Sequence, residues 1–182
     1  MQDSSEKQKL GEDNDEIDQL NGDIREAERL NDEQTALSAE PVQLAEFVES
    51  VVDQYFSYEG GLEIVLPSED REFVIDKLRI RLLLTNLLNN AIRHGRDKPL
   101  RVEVIFHEAS ASLVVEDNGE GIGPEHIDQV CEPFYRADSS RQRNTGGFDL
   151  GLYLCRLIAQ AHGGSLEIDS ELGKGTRISI RL

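Results

Sequence analysis

Ser112-Leu113-Val114-Val115-Glu116-Asp117-Asn118-Gly119-Glu120-Gly121-Ile122-Gly123 is the stretch that decides how this chain is read. Its first half is an apolar run of strand length, and its second half is a turn spaced by glycines. Glycine there lets the backbone bend tightly and approach a flat ligand closely. Asp117, at the strand end, is placed to accept a hydrogen bond from an exocyclic amine. The pattern is not the dinucleotide-binding glycine turn, because no long helix follows it.

Reading outward toward the N-terminus, Arg101–Glu108 is a neighbouring strand, joined to the first through Ala109–Ala111. Before it, Asp76 caps a long helix that runs to about His94 and stops at Gly95. Leu62–Leu66 and Glu72–Ile75 read as short extended runs. Pro41 is expected to open a helix, since the first helical amide needs no partner. The broad apolar face of that helix runs from Val42 to Phe56 and ends near Gly60-Gly61. Toward the C-terminus, Pro124–Cys131 reads as a short helix and Arg136–Gly147 as a long polar loop, of a length that is usually functional. Leu150–Ala161 returns to helical spacing, and Ser165–Ser170 with Thr176–Leu182 make a closing hairpin. The expected fold is a two-layer α/β sandwich, a mixed sheet of about five strands covered on one face by three helices.

The 182 residues suit one domain with an extension, at 38% hydrophobic and 30% charged residues. The net charge of −17 is uneven: residues 1–40 carry 13 acidic against 4 basic side chains. A nucleic-acid surface is excluded, because phosphate backbones need clustered Lys and Arg. Residues 1–14 are acidic and aperiodic and are expected to be disordered. Residues 15–40 hold a thin helical stripe at Ile17, Leu20, Ile24, Ala27 and Leu30, then a linker, and 41–182 form the folded domain. No run of about 18 apolar residues exists to span a bilayer, and no export signal is seen, so a cytoplasmic location without membrane contact is expected. Cys131 and Cys155 are too few for a metal site or a disulfide scaffold and read as buried thiols.

Two further clusters carry chemistry. On the helix Asn86-Leu87-Leu88-Asn89-Asn90-Ala91-Ile92-Arg93-His94, residues Asn86, Asn90 and Arg93 share one face by their spacing of four and three. A carboxamide offers a hard oxygen to Mg²⁺, and Arg93 or His94 can meet phosphate oxygens. The second cluster, Gly146-Gly147-Phe148-Asp149-Leu150-Gly151-Leu152, opens a helix, where free amides and the helix dipole favour phosphate. Glu132-Pro133-Phe134-Tyr135-Arg136 lies between.

In this order the clusters resemble the GHKL ATPase superfamily, and within it the catalytic ATP-binding domain of two-component sensor histidine kinases, over about residues 41–182. The resemblance implies a Bergerat-type fold, ATP and Mg²⁺ as ligands, and a parent protein anchored in the inner membrane. By position, Asp117 resembles the adenine-binding aspartate, assisted by Thr176, with Gly119 and Gly121 shaping the base pocket. Asn90 resembles the Mg²⁺ ligand and Asn86 its support, while Arg93 and His94 match phosphate-side positions. Gly147, Leu150, Gly151 and Leu152 resemble the second glycine box, and Phe134 the anchor of an ATP lid at Arg136–Gly147. Asn86 stands where hydrolytic members usually have glutamate, which favours phosphoryl transfer over hydrolysis.

Two departures bear on activity. Asp149 stands where the second glycine of GxGLGL is expected, and two unit charges about 4 Å apart repel by roughly 4 kcal/mol at an effective dielectric of about 20. Impaired ATP binding is therefore expected, with a nucleotide-poor regulatory module of the same fold as the alternative. None of His94, His107, His126 and His162 has the acceptor setting of the family. The implied partners are a phosphoacceptor domain of the parent kinase and, through it, a response regulator. Residues 15–37 resemble the end of a dimerisation helix, but its acidic side chains suit a bundle core poorly, so the chain is expected to be monomeric.

Overall fold

The computed structural model describes residues 20–32, 36–135 and 150–182. The acidic tail at 1–14, the loop after Arg136, Gly147 and Asp149 lie outside the described residues. In chain order the elements are α1 (residues 20–31), β1 (Glu40–Gln43), α2 (Leu44–Val52), a 3₁₀ turn, β2 (Leu62–Val65), β3 (Glu72–Ile75) and α3 (Lys77–His94). They continue with β4 (Leu100–Phe106), β5 (Ala111–Asp117), α4 (Pro124–Ile127), α5 (Gly151–Ala161), β6 (Ser165–Glu171) and β7 (Gly175–Arg181).

The main sheet has the order β2-β4-β5-β7-β6, with β2 parallel to β4 and every other pairing antiparallel. Alternation along β4, β5 and β7 sends Val102, Val104, Leu113, Val115, Ile178 and Ile180 into one core with the helices. Leu83, Leu84, Leu87 and Leu88 of α3 fill its centre and are at most 1% exposed. Each such leucine contributes roughly 1.5–3 kcal/mol by leaving water. The opposite face of the sheet is a ladder of charges, in which Arg177 meets Glu116 at 2.7 Å and Glu103 at 3.5 Å. A mixed five-stranded sheet with helices on one face is the architecture expected from the sequence.

The start of α2 is a correction. Pro41 does not open a helix; Glu40–Gln43 form a strand paired with β3, in which Pro41 lies opposite Val74. Proline tolerates a strand edge, where no ladder amide is required. The helix begins at Leu44 because a distant carboxylate caps it: Asp70 accepts from the Ala45 and Glu46 amides, each at 2.9 Å. That cap lies outside any local window of sequence. The helix also ends at Val52, and α4 ends at Ile127, each shorter than its apolar pattern suggests.

Helix α1 docks on α3: Ala27 is buried, and Glu26 pairs with buried Arg79 of α3 at 2.7 Å. Asn31 donates to the Tyr153 hydroxyl at 3.0 Å. A second junction joins the far ends of α3 and α5. The Asp76 amide donates to His162 Nε2 at 3.0 Å while His162 Nδ1 lies 2.8 Å from the Ile158 carbonyl, so the ring is neutral with its proton on Nδ1. Among the described residues no helix is long and apolar enough to cross a membrane. Both cysteines are free and buried, as the sequence suggests, and burial raises both thiol pKa values.

Candidate functional site

The C-terminal end of α3, the turn after β5 and the start of β7 meet at one end of the sheet. Asp117 closes β5 directly opposite Thr176, and each is 8% exposed. The Gly119 amide donates to Asp117 Oδ1 at 2.8 Å. Burial raises the Asp117 pKa; the Gly119 amide, His94 and the Thr176 amide pull it back, and Glu120 pushes it further up. A buried carboxylate oriented by two backbone donors is suited to an amine donor on a ligand.

Glycine is required on both sides of Glu120. A Cβ at Gly119 would strike the His94 carbonyl, and one at Gly121, whose φ is +68°, would strike the Glu171 carbonyl. The Glu120 amide donates to the His94 carbonyl at 3.2 Å, and Gly173 donates to the Glu120 carbonyl at 2.6 Å. The turn is thereby fastened to α3 on one side and to the β6–β7 turn on the other.

Ser170, which sequence reasoning missed, ties this end together. Its hydroxyl donates to the Gly175 carbonyl at 2.8 Å and accepts from the Ile122 amide at 2.8 Å. Thr176 Oγ1 lies 2.9 Å from Ser170 Oγ, and since the serine proton is already committed, Thr176 is the donor. No local motif marks this serine, because its role depends on register across the β6–β7 hairpin, where Ser170 faces Thr176.

At the other end, Asn86 on α3 faces Gly151, the first residue of α5. A Cβ on Gly151 would lie 3.7 Å from the Asn86 side chain, in ordinary contact and filling the space over it. Asn86 Nδ2 is buried and has no hydrogen-bond partner among the described residues. No described side chain caps α5. One turn along α3, Asn90 is half-buried, and Arg93 is exposed in the last turn. Leu150 is buried beneath the start of α5 and Leu152 packs against the core, so both support this end rather than lining it. Among the described residues the helix cluster thus meets the first glycine segment and residues 150–152 of the second.

His94, expected on the phosphate side, meets the turn after β5 through one ring nitrogen. Its Nδ1 lies 2.8 Å from Glu120 Oε1. Phe134 is 60% exposed with φ +64°, a left-handed conformation rare for a bulky side chain, immediately before the undescribed loop. Among the described residues no three of His, Cys, Asp and Glu gather as a metal site. A cation here would need carboxamide oxygen and ligand oxygens, a style of coordination that suits Mg²⁺ better than a closed protein cage does.

Comparison with known proteins agrees with this geometry. The family model described as "Histidine kinase-, DNA gyrase B-, and HSP90-like ATPase" matches residues 75–182. Sensor protein SrrB of Staphylococcus aureus is 40% identical over 113 residues, covering 62% of this chain and 19% of SrrB. The chain thus spans about a fifth of the length of the curated relatives it matches. The Acinetobacter baumannii histidine kinase AdeS superposes with a TM-score of 0.73 at 24% identity, over 91% of this chain and 77% of that one. Full-length ShkA in complex with AMPPNP superposes at 0.78 and 23% identity, over 93% of this chain and 36% of that one. These two likenesses show the fold.

Proposed function

Because the chain belongs to the family of histidine kinase-, DNA gyrase B- and HSP90-like ATPases, we propose that it is the ATP-binding catalytic domain of a sensor histidine kinase. It delivers the γ-phosphoryl group to a histidine outside these 182 residues, since none of His94, His107, His126 and His162 stands in the family's acceptor setting. The observation that carries this reading is the pairing of an orphaned Asn86 amide with an α5 start that no described side chain caps. A buried donor without a described partner beside helix amides that no described side chain caps suits a polyanion.

On this reading Asp117 and Thr176 hold the base, Gly119 and Gly121 shape its pocket by letting the turn close on α3 and the β6–β7 turn, and Asn86, Arg93 and the α5 amides meet the phosphates. Asn90 would hold Mg²⁺, which, when bound, neutralises phosphate charge and orients the transferred group. Phosphoryl transfer asks little covalent work of a protein, so positioning and charge stabilisation supply the catalysis. Asn86, lacking a carboxylate, cannot activate water, which supports transfer over hydrolysis. Residues 15–40 would be the end of a dimerisation helix and its linker. The parent protein would be membrane-anchored and signal to a response regulator.

Asp149 stands where the family's pattern has a glycine on the phosphate side, and on this reading its negative charge would weaken binding by up to about a thousandfold at roughly 4 kcal/mol. Calorimetric titration with Mg²⁺ and a non-hydrolysable ATP analogue tests this. The Asp149→Gly variant should bind at low-micromolar concentration and the unsubstituted chain far more weakly. Equal, tight binding by both would refute the role of Asp149. No binding by either would refute ATP binding itself and favour a regulatory module.

A further inference from the structure

The Glu120 side chain bridges two elements that local sequence does not connect. One carboxylate oxygen lies 2.8 Å from His94 Nδ1 and the other 3.3 Å from Arg96 Nη2. These partners draw the Glu120 carboxyl below its ordinary range although burial alone would raise it. Arg96 and Asp97 both adopt left-handed backbone conformations, with φ of 53° and 55°, without being glycine. Such a pair persists only where neighbours hold it. The holding contacts are the turn bond from the Lys98 amide to the Gly95 carbonyl at 3.2 Å, Glu120 on Arg96, Asn118 Nδ2 on the Pro99 carbonyl at 3.0 Å, and the Tyr58 hydroxyl on the Lys98 carbonyl at 3.3 Å. Segment 95–99 is thus a strained strap behind the turn that carries Asp117.

We propose that Glu120 is a positioning residue of the base side of the site, clipping His94 and Arg96 to the turn so that Asp117 is presented in one geometry. This rests on the nucleotide-site reading above and assigns His94 to the clip rather than to a phosphate. Exposed ion pairs contribute little to global stability. At 37% side-chain exposure, Glu120 therefore acts on the shape of the turn more than on folding.

The test uses the full 182-residue chain carrying Asp149→Gly, titrated with a non-hydrolysable ATP analogue and Mg²⁺. Adding Glu120→Ala should weaken binding about tenfold, as expected for losing a charge-assisted hydrogen bond that orders a site. Glu120→Gln keeps one oxygen for Arg96 Nη2 and offers an NH2 hydrogen that a neutral His94 Nδ1 can accept, so it should stay within about threefold of its parent, with melting temperatures of all variants within a few degrees. Adding His94→Ala to Glu120→Ala should cost less than about twofold more, because the two share one interaction. Undiminished affinity in Glu120→Ala overturns the proposal while leaving ATP binding intact. So does a further large loss on removing His94, which would put that ring on the nucleotide. Equal weakening by Ala and Gln with a matching fall in melting temperature overturns it as well, showing a merely structural residue. If the Asp149→Gly parent binds no analogue, the nucleotide-site reading fails and the proposal falls with it.

Discussion

At the Asp117 end of the site the polar groups find partners within the protein: the carboxylate has the Gly119 amide, Ser170 uses its proton and both lone pairs, and the Glu120 carboxylate meets a histidine and an arginine. At the Asn86 end, 3.7 Å separates the carboxamide from the empty side-chain position of Gly151, and Nδ2 has no described partner. On the proposed reading, a neutral base would use the rigid frame of the first end, and a charged triphosphate would use donors that find no partner among the described residues at the second.

This contrast can be broken most sharply at glycine. Gly119→Ala would drive a Cβ into the His94 carbonyl, and because the obstacle is backbone, the turn or the helix end must move. A loss of about 3 kcal/mol or more is expected in denaturant unfolding. Next, Asp117→Asn keeps the fold but replaces the acceptor with an ambiguous amide, so analogue affinity in the Asp149→Gly background should fall by roughly ten- to a hundredfold. Gly151→Ala sharpens the comparison from the other side. Its Cβ meets Asn86 only at ordinary contact distance, so stability should hold within about 1 kcal/mol while affinity weakens several-fold.

The smallest effect is in pH dependence, where the two carboxylates of the turn have opposite signs. Glu120 is depressed in the fold, so its contribution to stability is present above its unfolded pKa and is lost as pH falls through the folded value. Asp117 is raised by burial, so its contribution is present below its unfolded pKa and is lost as pH rises through the folded value. Urea midpoints measured across the carboxylate range should therefore fall less steeply on acidification in Glu120→Gln and more steeply in Asp117→Asn. Identical profiles for both variants would contradict the opposed environments.

Much of this was legible in sequence where a residue's role is set by its neighbours in the chain. The periodicity of α3, the Asp76 cap, the strand ending at Asp117 and the hairpin closing at Thr176 all appear as read, since helix spacing and strand alternation are local. What was illegible depends on residues far apart. Asp70 caps α2 from 25 positions away, and Arg79 gives Glu26 a buried partner 53 positions away. A polar residue whose partner lies across the fold looks like solvated surface until the partner is found. His94 shows the same lesson inside a motif, because its Glu120 contact depends on two segments meeting rather than on either one.

The account stands on α3, the Asp117 turn and the start of α5 forming one ligand site. Amide hydrogen exchange of the Asp149→Gly chain, measured with and without an ATP analogue and Mg²⁺, tests that most directly. Added ligand should slow exchange together in 86–95, 117–123, 150–154 and 175–177 while leaving β2 and α2 unchanged. Slowing confined to one of these segments, or spread evenly over the whole chain, would contradict a shared site.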